Sequence, residues 1–331
     1  MEQRKNEHLE LALSSQVGFD QIDGRFDYEP LLGSHTKGEI NPVIFLGKTL
    51  RVPMWVSSMT GGTKFARTIN TNLARACNEF GMGMGLGSCR ILLEKEECFP
   101  DFDMRDIIGI DLPFYANIGI SQLENMLHDK SYPKIFDLVN RLRADGLIIH
   151  VNPIQEWLQT EGDILKHSPI ETIEEFLTLT KMKIVVKEVG QGMGPGSIAR
   201  LMKCPIEAFE LAGLGGTNFA RVELARSTVQ QRELYSPLAF VGHTADEMLE
   251  VVNTLVTTGS PLGCRQIIIS GGIRSFLDGY YYISRSLLPS IFGQAAGFLR
   301  FARGDYNDLR SFVSDQVKGL AFARAFLHVK S

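Results

Sequence analysis

The chain has 331 residues, 44% of them hydrophobic and 22% charged, which is the composition of a globular protein rather than a disordered, collagenous or disulfide-stapled one. Its formal net charge of −4 leaves no overall basic field for nucleic acid or an anionic membrane, so any anion must be held by a local site. The longest charge-free stretches, such as Val251–Cys264, run 14 residues and fall short of the roughly 18–20 apolar residues of a spanning helix.

The elements alternate from about residue 52 onward. Val52–Ser57 reads as a strand ending in Met59-Thr60-Gly61-Gly62. A helix follows, with Phe65, Ile69, Leu73, Ala76 and Phe80 on one face. Further strands are expected at Met82–Leu86, Pro113–Asn117, Gly146–Val151, Lys183–Lys187, Ile206–Leu211, Gln266–Ile269 and Ser290–Phe292. Helical patterns at Lys134–Arg143, Glu171–Thr180 and Asp246–Val256 lie between them, and Asp305–Leu327 reads as a long terminal helix.

At roughly 150 residues per domain the length would suit two domains. Eight strand-helix units instead favour one closed (β/α)8 TIM barrel, since doubly wound sheets usually hold five or six strands. Residues 1–50 then form an N-terminal extension and residues 51–331 the barrel. Barrel chemistry sits at the C-terminal ends of the strands, and there the chain places MTGG, GSCR, NIG, HVNPIQE, KEVG, AGLGGT, SGGIR and GQAA in turn. Any one of these is ordinary turn chemistry. Eight on one rim predict a ligand site.

SGGIR and GQAA follow strands seven and eight, the usual phosphate position of such barrels. Gly271, Gly272 and Arg274 are therefore candidates for a phosphate cradle, Arg274 having the alternative of a rim ion pair. Lys187 ends an apolar strand, where a cation needs a negative neighbour. That neighbour is either an anionic ligand such as a flavin ring or a barrel carboxylate, Glu188 or Glu210. His150 and Asn152 share one face of strand four, with Gln155 and Glu156 just beyond. One carboxylate among amides and an imidazole suits Mg²⁺ when a diphosphate supplies the other oxygens, and does not suit zinc. A hydrogen-bonded core histidine is the other reading of His150. Arg4 and His8 stand four apart on a helical N-terminus beside Lys5, as a solvated face would also do.

These segments resemble the type 2 isopentenyl-diphosphate isomerases, FMN-dependent (β/α)8 barrels. RKNEHL, SSMTGG, GSCR, ANIG, IIHVNPIQE, KEVG, GGTNF and SGGIR occur in family order, with HVNPIQE and KEVG the most specific. The resemblance implies conversion of isopentenyl diphosphate to dimethylallyl diphosphate in isoprenoid biosynthesis. The cofactors implied are reduced FMN, Mg²⁺, and NAD(P)H as the reductant. It implies that Met59, Thr60, Gly61, Ser88, Asn117, Lys187 and Thr217 contact FMN. Gly271, Gly272 and Arg274 would hold the flavin phosphate, with Ala295 and Ala296 as its last contacts. Arg4, Lys5, Arg90, His150 and Asn152 would bind the substrate diphosphate, Gln155 would lie by the reacting carbons, and Glu156 would hold the metal. Gln155 and Lys187 are the implied catalytic residues, and a tetramer or octamer is the implied assembly.

The chain departs from the family pattern at Cys89, where Gln is usual, at Ala212, where Ser is usual, and in GYYYISRSLLPSIFGQAA after Asp278. Two rival functions are an FMN barrel oxidising a 2-hydroxy acid and a flavin- or prenyl-diphosphate-binding protein without catalysis. The first wants a His in the strand-seven rim, which reads SGGIR. Five cysteines without a C-x-x-C pair and a charged N-terminus lead us to expect a reducing cytoplasm, with no membrane or nucleic-acid partner.

Overall fold

A computed structural model describes residues 2–35, 40–58 and 65–330, without the side chains of residues 2, 3 and 5. The expectations for Met59, Thr60, Gly61 and the side chain of Lys5 lie outside the described residues.

Eight parallel strands close into a barrel. They are β1 (Met54–Val56), β2 (Gly83–Gly85), β3 (Phe114–Gly119), β4 (Gly146–Val151), β5 (Lys183–Glu188), β6 (Ala208–Glu210), β7 (Ile267–Ile269) and β8 (Ser290–Gln294). Every expected strand is present, and β8 pairs with β1 to complete the ring. The expected helices form at Ala66–Phe80, Pro133–Arg141, Pro169–Leu179, Ala245–Thr257 and Tyr306–Phe326.

The lower barrel is filled by large side chains against missing ones. Trp55 and Tyr115 are fully buried and meet edge to face. A Cβ on Gly83 would lie 2.5 Å from the Trp55 ring, and one on Gly146 would lie 2.6 Å from that of Tyr115. The N-terminal mouth is closed by a hairpin, Val43–Phe45 with Lys48–Leu50. Phe45, Leu46 and Leu50 are buried there. Lys48 Nζ reaches Asp145 at 2.5 Å, and Arg105 binds the other oxygen of the same carboxylate at 2.9 Å.

A second small sheet pairs Phe26–Tyr28 with Leu327–Val329, tying the extension to the chain's other end. The tyrosines of the unusual segment after Asp278 support it. Tyr280 donates to Leu327 O at 2.7 Å and stacks on Phe26, while Arg25 lies over the Tyr281 ring and pairs with Asp278 at 2.8 Å. That departure from the family pattern therefore serves the docking of the extension.

Candidate functional site

The C-terminal ends of the strands carry a cavity of about 460 Å³, a size that holds a cofactor. Lys187, Thr217, Gly271, Gly272, Arg274, Ala295 and Ala296, all named from the sequence as candidate cofactor contacts, line it. Ser57, Ser58, Glu210, Ser270 and Gln294 line it too.

Backbone meets backbone along one wall. Gly271 has φ 96°, and a Cβ there would fall 2.1 Å from Gly213 N. Gly215 has φ 111° and would press a Cβ to 3.0 Å from Gly272 Cα. The glycines of AGLGG and SGG thus let two turns touch, which no side chain would permit. Ala212 takes φ 48° in the same wall, held by a hydrogen bond from its N–H to Ser270 Oγ. The segment after β5 is pinned by the Glu188 carboxylate, which accepts from the N–H groups of Gly190, Gln191 and Gly192. Burial pushes the Glu188 carboxyl up in pKa, against these donors and the Lys187 charge.

Lys187 is buried, and its Nζ donates to Glu188 O at 2.7 Å. It forms no ion pair among the described residues, so neither carboxylate partner anticipated for it takes that role. Arg274 is exposed at the mouth and likewise makes no ion pair among the described residues. Among the described residues, three buried polar atoms of the lining have no hydrogen-bond partner: Ser58 Oγ, Glu210 Oε2 and Gln294 Oε1. Such atoms are costly unless a ligand meets them.

A polar cluster flanks the cavity at β3 and β4. Asn117 Nδ2 donates to Leu86 O at 2.9 Å, which turns its Oδ1 to His150 Nδ1 at 2.8 Å. The ring therefore carries its proton on Nδ1 and leaves Nε2 as an acceptor. Burial first, and the Lys187 charge second, lower the His150 pKa to about 3, so the ring is neutral at pH 7. Asn152 Nδ2 donates to Glu156 Oε1 at 3.0 Å, and Asp163 N to Glu156 Oε2 at 3.1 Å. Arg90 lies 3.7 Å from Asp163, placing GSCR beside this cluster. Ser88 is exposed next to it, and Cys89 is buried, with burial raising its thiol to about 12. Gln155 donates to Glu223 at 3.1 Å, a partner 68 residues away. Among the described residues no group of three His, Cys, Asp or Glu side chains forms a metal cluster. Lys187 joins the two regions, in register with His150 on one side and Glu210 on the other. Arg4 sits on the exposed helix Glu2–Ala12, with no hydrogen bond to the rim among the described residues.

No protein-family model matches the chain. Curated relatives do. An isopentenyl-diphosphate delta-isomerase of Rickettsia akari is 35% identical over 306 residues, 90% of this chain and 85% of that protein. One of Synechococcus sp. is 34% identical over 328 residues, 97% of this chain and 91% of that protein. The chain belongs to the isopentenyl-diphosphate delta-isomerase family. Its barrel fits the type 2 branch that the motifs resemble. The isomerase fold is also similar to a mandelate oxidase variant solved with an FMN adduct, at TM-score 0.57 and 14% identity over 92% of this chain and 88% of that one. The flavin-binding domain of baker's yeast flavocytochrome b2 aligns at TM-score 0.60 and 14% identity, over 91% and 71%. Both confirm the barrel.

Sequence reasoning missed Glu223, Gln294 and the serines of the cavity, and named Glu210 only as a possible partner of Lys187. Glu210 had a signal, a carboxylate closing an apolar strand. Glu223 had none, since the short helix that carries it, Phe219–Arg226, has no periodic pattern that would mark the residue as buried.

Proposed function

We propose that this isomerase-family chain converts isopentenyl diphosphate to dimethylallyl diphosphate with reduced FMN and Mg²⁺, the flavin being reduced by NAD(P)H. The observation that carries the reading is the cavity itself. It presents one buried cation, a glycine wall and three polar atoms unpartnered among the described residues, beside a cluster with one metal-suited carboxylate.

Those residues fit a flavin. Asn117, Lys187 and Thr217 are the proposed ring contacts, with Met59, Thr60, Gly61 and Ser88 assigned by resemblance. Gly271, Gly272, Arg274, Ala295 and Ala296 are assigned to its phosphate. Reduced FMN, when bound, supplies the acid–base group beside the alkene. Lys187 favours an anion in the cavity. Glu156 is assigned to Mg²⁺, which needs few protein ligands when a diphosphate shares it. Arg90, His150 and Asn152 orient the diphosphate, and Arg4 and Lys5 close over it. Neutral His150 offers an acceptor at Nε2, so it pairs with a protonated diphosphate oxygen or takes up a proton as the anion binds. Gln155, steered by Glu223, lies by the reacting carbons. A cytoplasmic tetramer or octamer completes the proposal; among the described residues no helix is long and apolar enough to cross a membrane.

The test is anaerobic product formation with the flavin spectrum recorded alongside. Turnover is expected with NAD(P)H or dithionite, none with oxidised FMN, and no stoichiometric loss of reductant. Turnover on fully oxidised flavin, or one reductant consumed per product, would overturn the reading.

A further inference from the structure

Glu210 is nearly fully buried at the end of β6, with 1% of its surface exposed, and it lines the cavity. Ser57, just past β1, donates to its Oε1 at 2.5 Å, and Ser270, just past β7, donates to the same oxygen at 2.8 Å. The three side chains converge from different strands in front of Gly293. A Cβ on Gly293 would lie 2.6 Å from Ser57 Oγ and 3.1 Å from Ser270 Cβ, so the missing side chain makes the room. Two hydroxyl donors on one oxygen suit an ionised carboxylate. The second oxygen, Oε2, has no hydrogen-bond partner among the described residues. Glu210 is also the register partner of Lys187 on the adjacent strand. Both side chains line the cavity, yet they form no ion pair among the described residues. A buried anion and a buried cation thus border the same ligand space without neutralising each other directly.

We propose that Glu210 is a positioning residue that balances the Lys187 charge and so sets the reduction potential of the bound flavin. The inference rests on the FMN reading above and deepens it. Reduction to the anionic form adds negative charge to the cofactor. Lys187 stabilises that charge, and a fixed carboxylate opposes it. Without Glu210 the cavity would favour reduced over oxidised flavin more strongly; with it, that preference is smaller.

The experiment is the midpoint potential of the FMN-loaded protein, measured against a reference dye, with the dissociation constant of oxidised FMN measured separately. Glu210→Gln should raise the ratio of reduced to oxidised affinity about tenfold, an upward shift of about 30 mV for a two-electron couple. Glu210→Asp, which keeps the charge, should stay near the wild-type potential. Ser57→Ala strips one donor from the carboxylate, leaves its charge less screened, and should move the potential downward; it also serves if Glu210→Gln does not fold. A merely structural role would weaken both redox forms alike and leave the potential in place. An unmoved potential in Glu210→Gln, or a downward one, overturns the inference while FMN binding stands. Wild-type protein that takes up no FMN overturns the functional reading and this inference together.

Discussion

The two halves of the rim are built on opposite plans. Between β6 and β8 the site is made of what is missing: glycines without side chains, and polar atoms without partners. At β3 and β4 it is made of what is already joined, an Asn–His pair and a carboxylate with both oxygens bonded. The first plan suits a large flat ligand that must approach backbone and bring its own hydrogen bonds. The second suits a small charged group whose few contacts must be oriented before it arrives. A substitution that adds volume should therefore damage the first half, and one that removes a bond or a charge should damage the second.

Gly271→Ala should show the largest effect. It strains a left-handed backbone and drives a Cβ into Gly213. Strain of about 1–3 kcal/mol together with the displaced turn predicts FMN affinity weakened on the order of 100-fold. Gly196→Ala is the internal control, because it lies outside the cavity lining and nothing would stand within 4 Å of its Cβ. Fluorescence titration of FMN compares the two. Equal affinity in both would show that the turns do not need to touch.

On the other side, Glu156→Gln keeps shape and loses charge. Activity should fall by about 100-fold or more, while FMN binding stays as in the wild type. Varying Mg²⁺ separates the outcomes: a variant with full activity and an unchanged Mg²⁺ requirement would remove Glu156 from the metal site.

Both plans differ in how much of them could be read beforehand. The eight strands were legible because apolar runs and amphipathic helices alternate, and burial enforces that pattern. The glycine wall was legible because glycine-rich and polar segments follow all eight strands on one rim, although any one of them alone is ordinary turn chemistry. The mouth hairpin and the terminal sheet were not. Their strands are three residues long, and Phe26 pairs with Val329 across almost the whole chain, which no local pattern encodes. Glu156 and Gln155 could be named from one motif, but the Gln155–Glu223 bond depends on a helix after β6 that approaches only in the folded barrel. The missing ion pair at Lys187 was also out of reach, since spacing cannot distinguish a carbonyl partner from a carboxylate one.

His150 sharpens the contrast through pH. Its folded pKa of about 3 lies below the unfolded value near 6.5. Between those values the unfolded chain binds the additional proton. The contribution of neutral His150 to stability is thus complete above about pH 6.5 and is lost as pH falls toward 3. His150→Gln should flatten the dependence of urea-unfolding free energy on pH between 6.5 and 5, by up to one proton's worth of slope. An identical slope in variant and wild type would mean that the ring titrates freely.

The smallest effect is expected in the N-terminal helix, Glu2–Ala12. Arg4 and Lys5 belong to a helix whose described side chains are exposed. The extension behind that helix is anchored elsewhere, through Arg25, Phe26 and the terminal sheet. Substituting the pair should leave the fold, the cavity and FMN content unchanged. If the two cations close over a bound diphosphate, each contributes a charge-assisted contact worth about 1.5–3 kcal/mol when buried and less at an exposed site. Arg4→Ala with Lys5→Ala should then raise KM roughly tenfold, and added salt should weaken the wild type more than the variant because screening acts on exposed charges. The salt series separates a clamp from a solvated helix: parallel salt profiles and an unchanged KM would leave the β3–β4 cluster to bind the diphosphate alone, through Arg90, His150, Asn152 and the metal on Glu156.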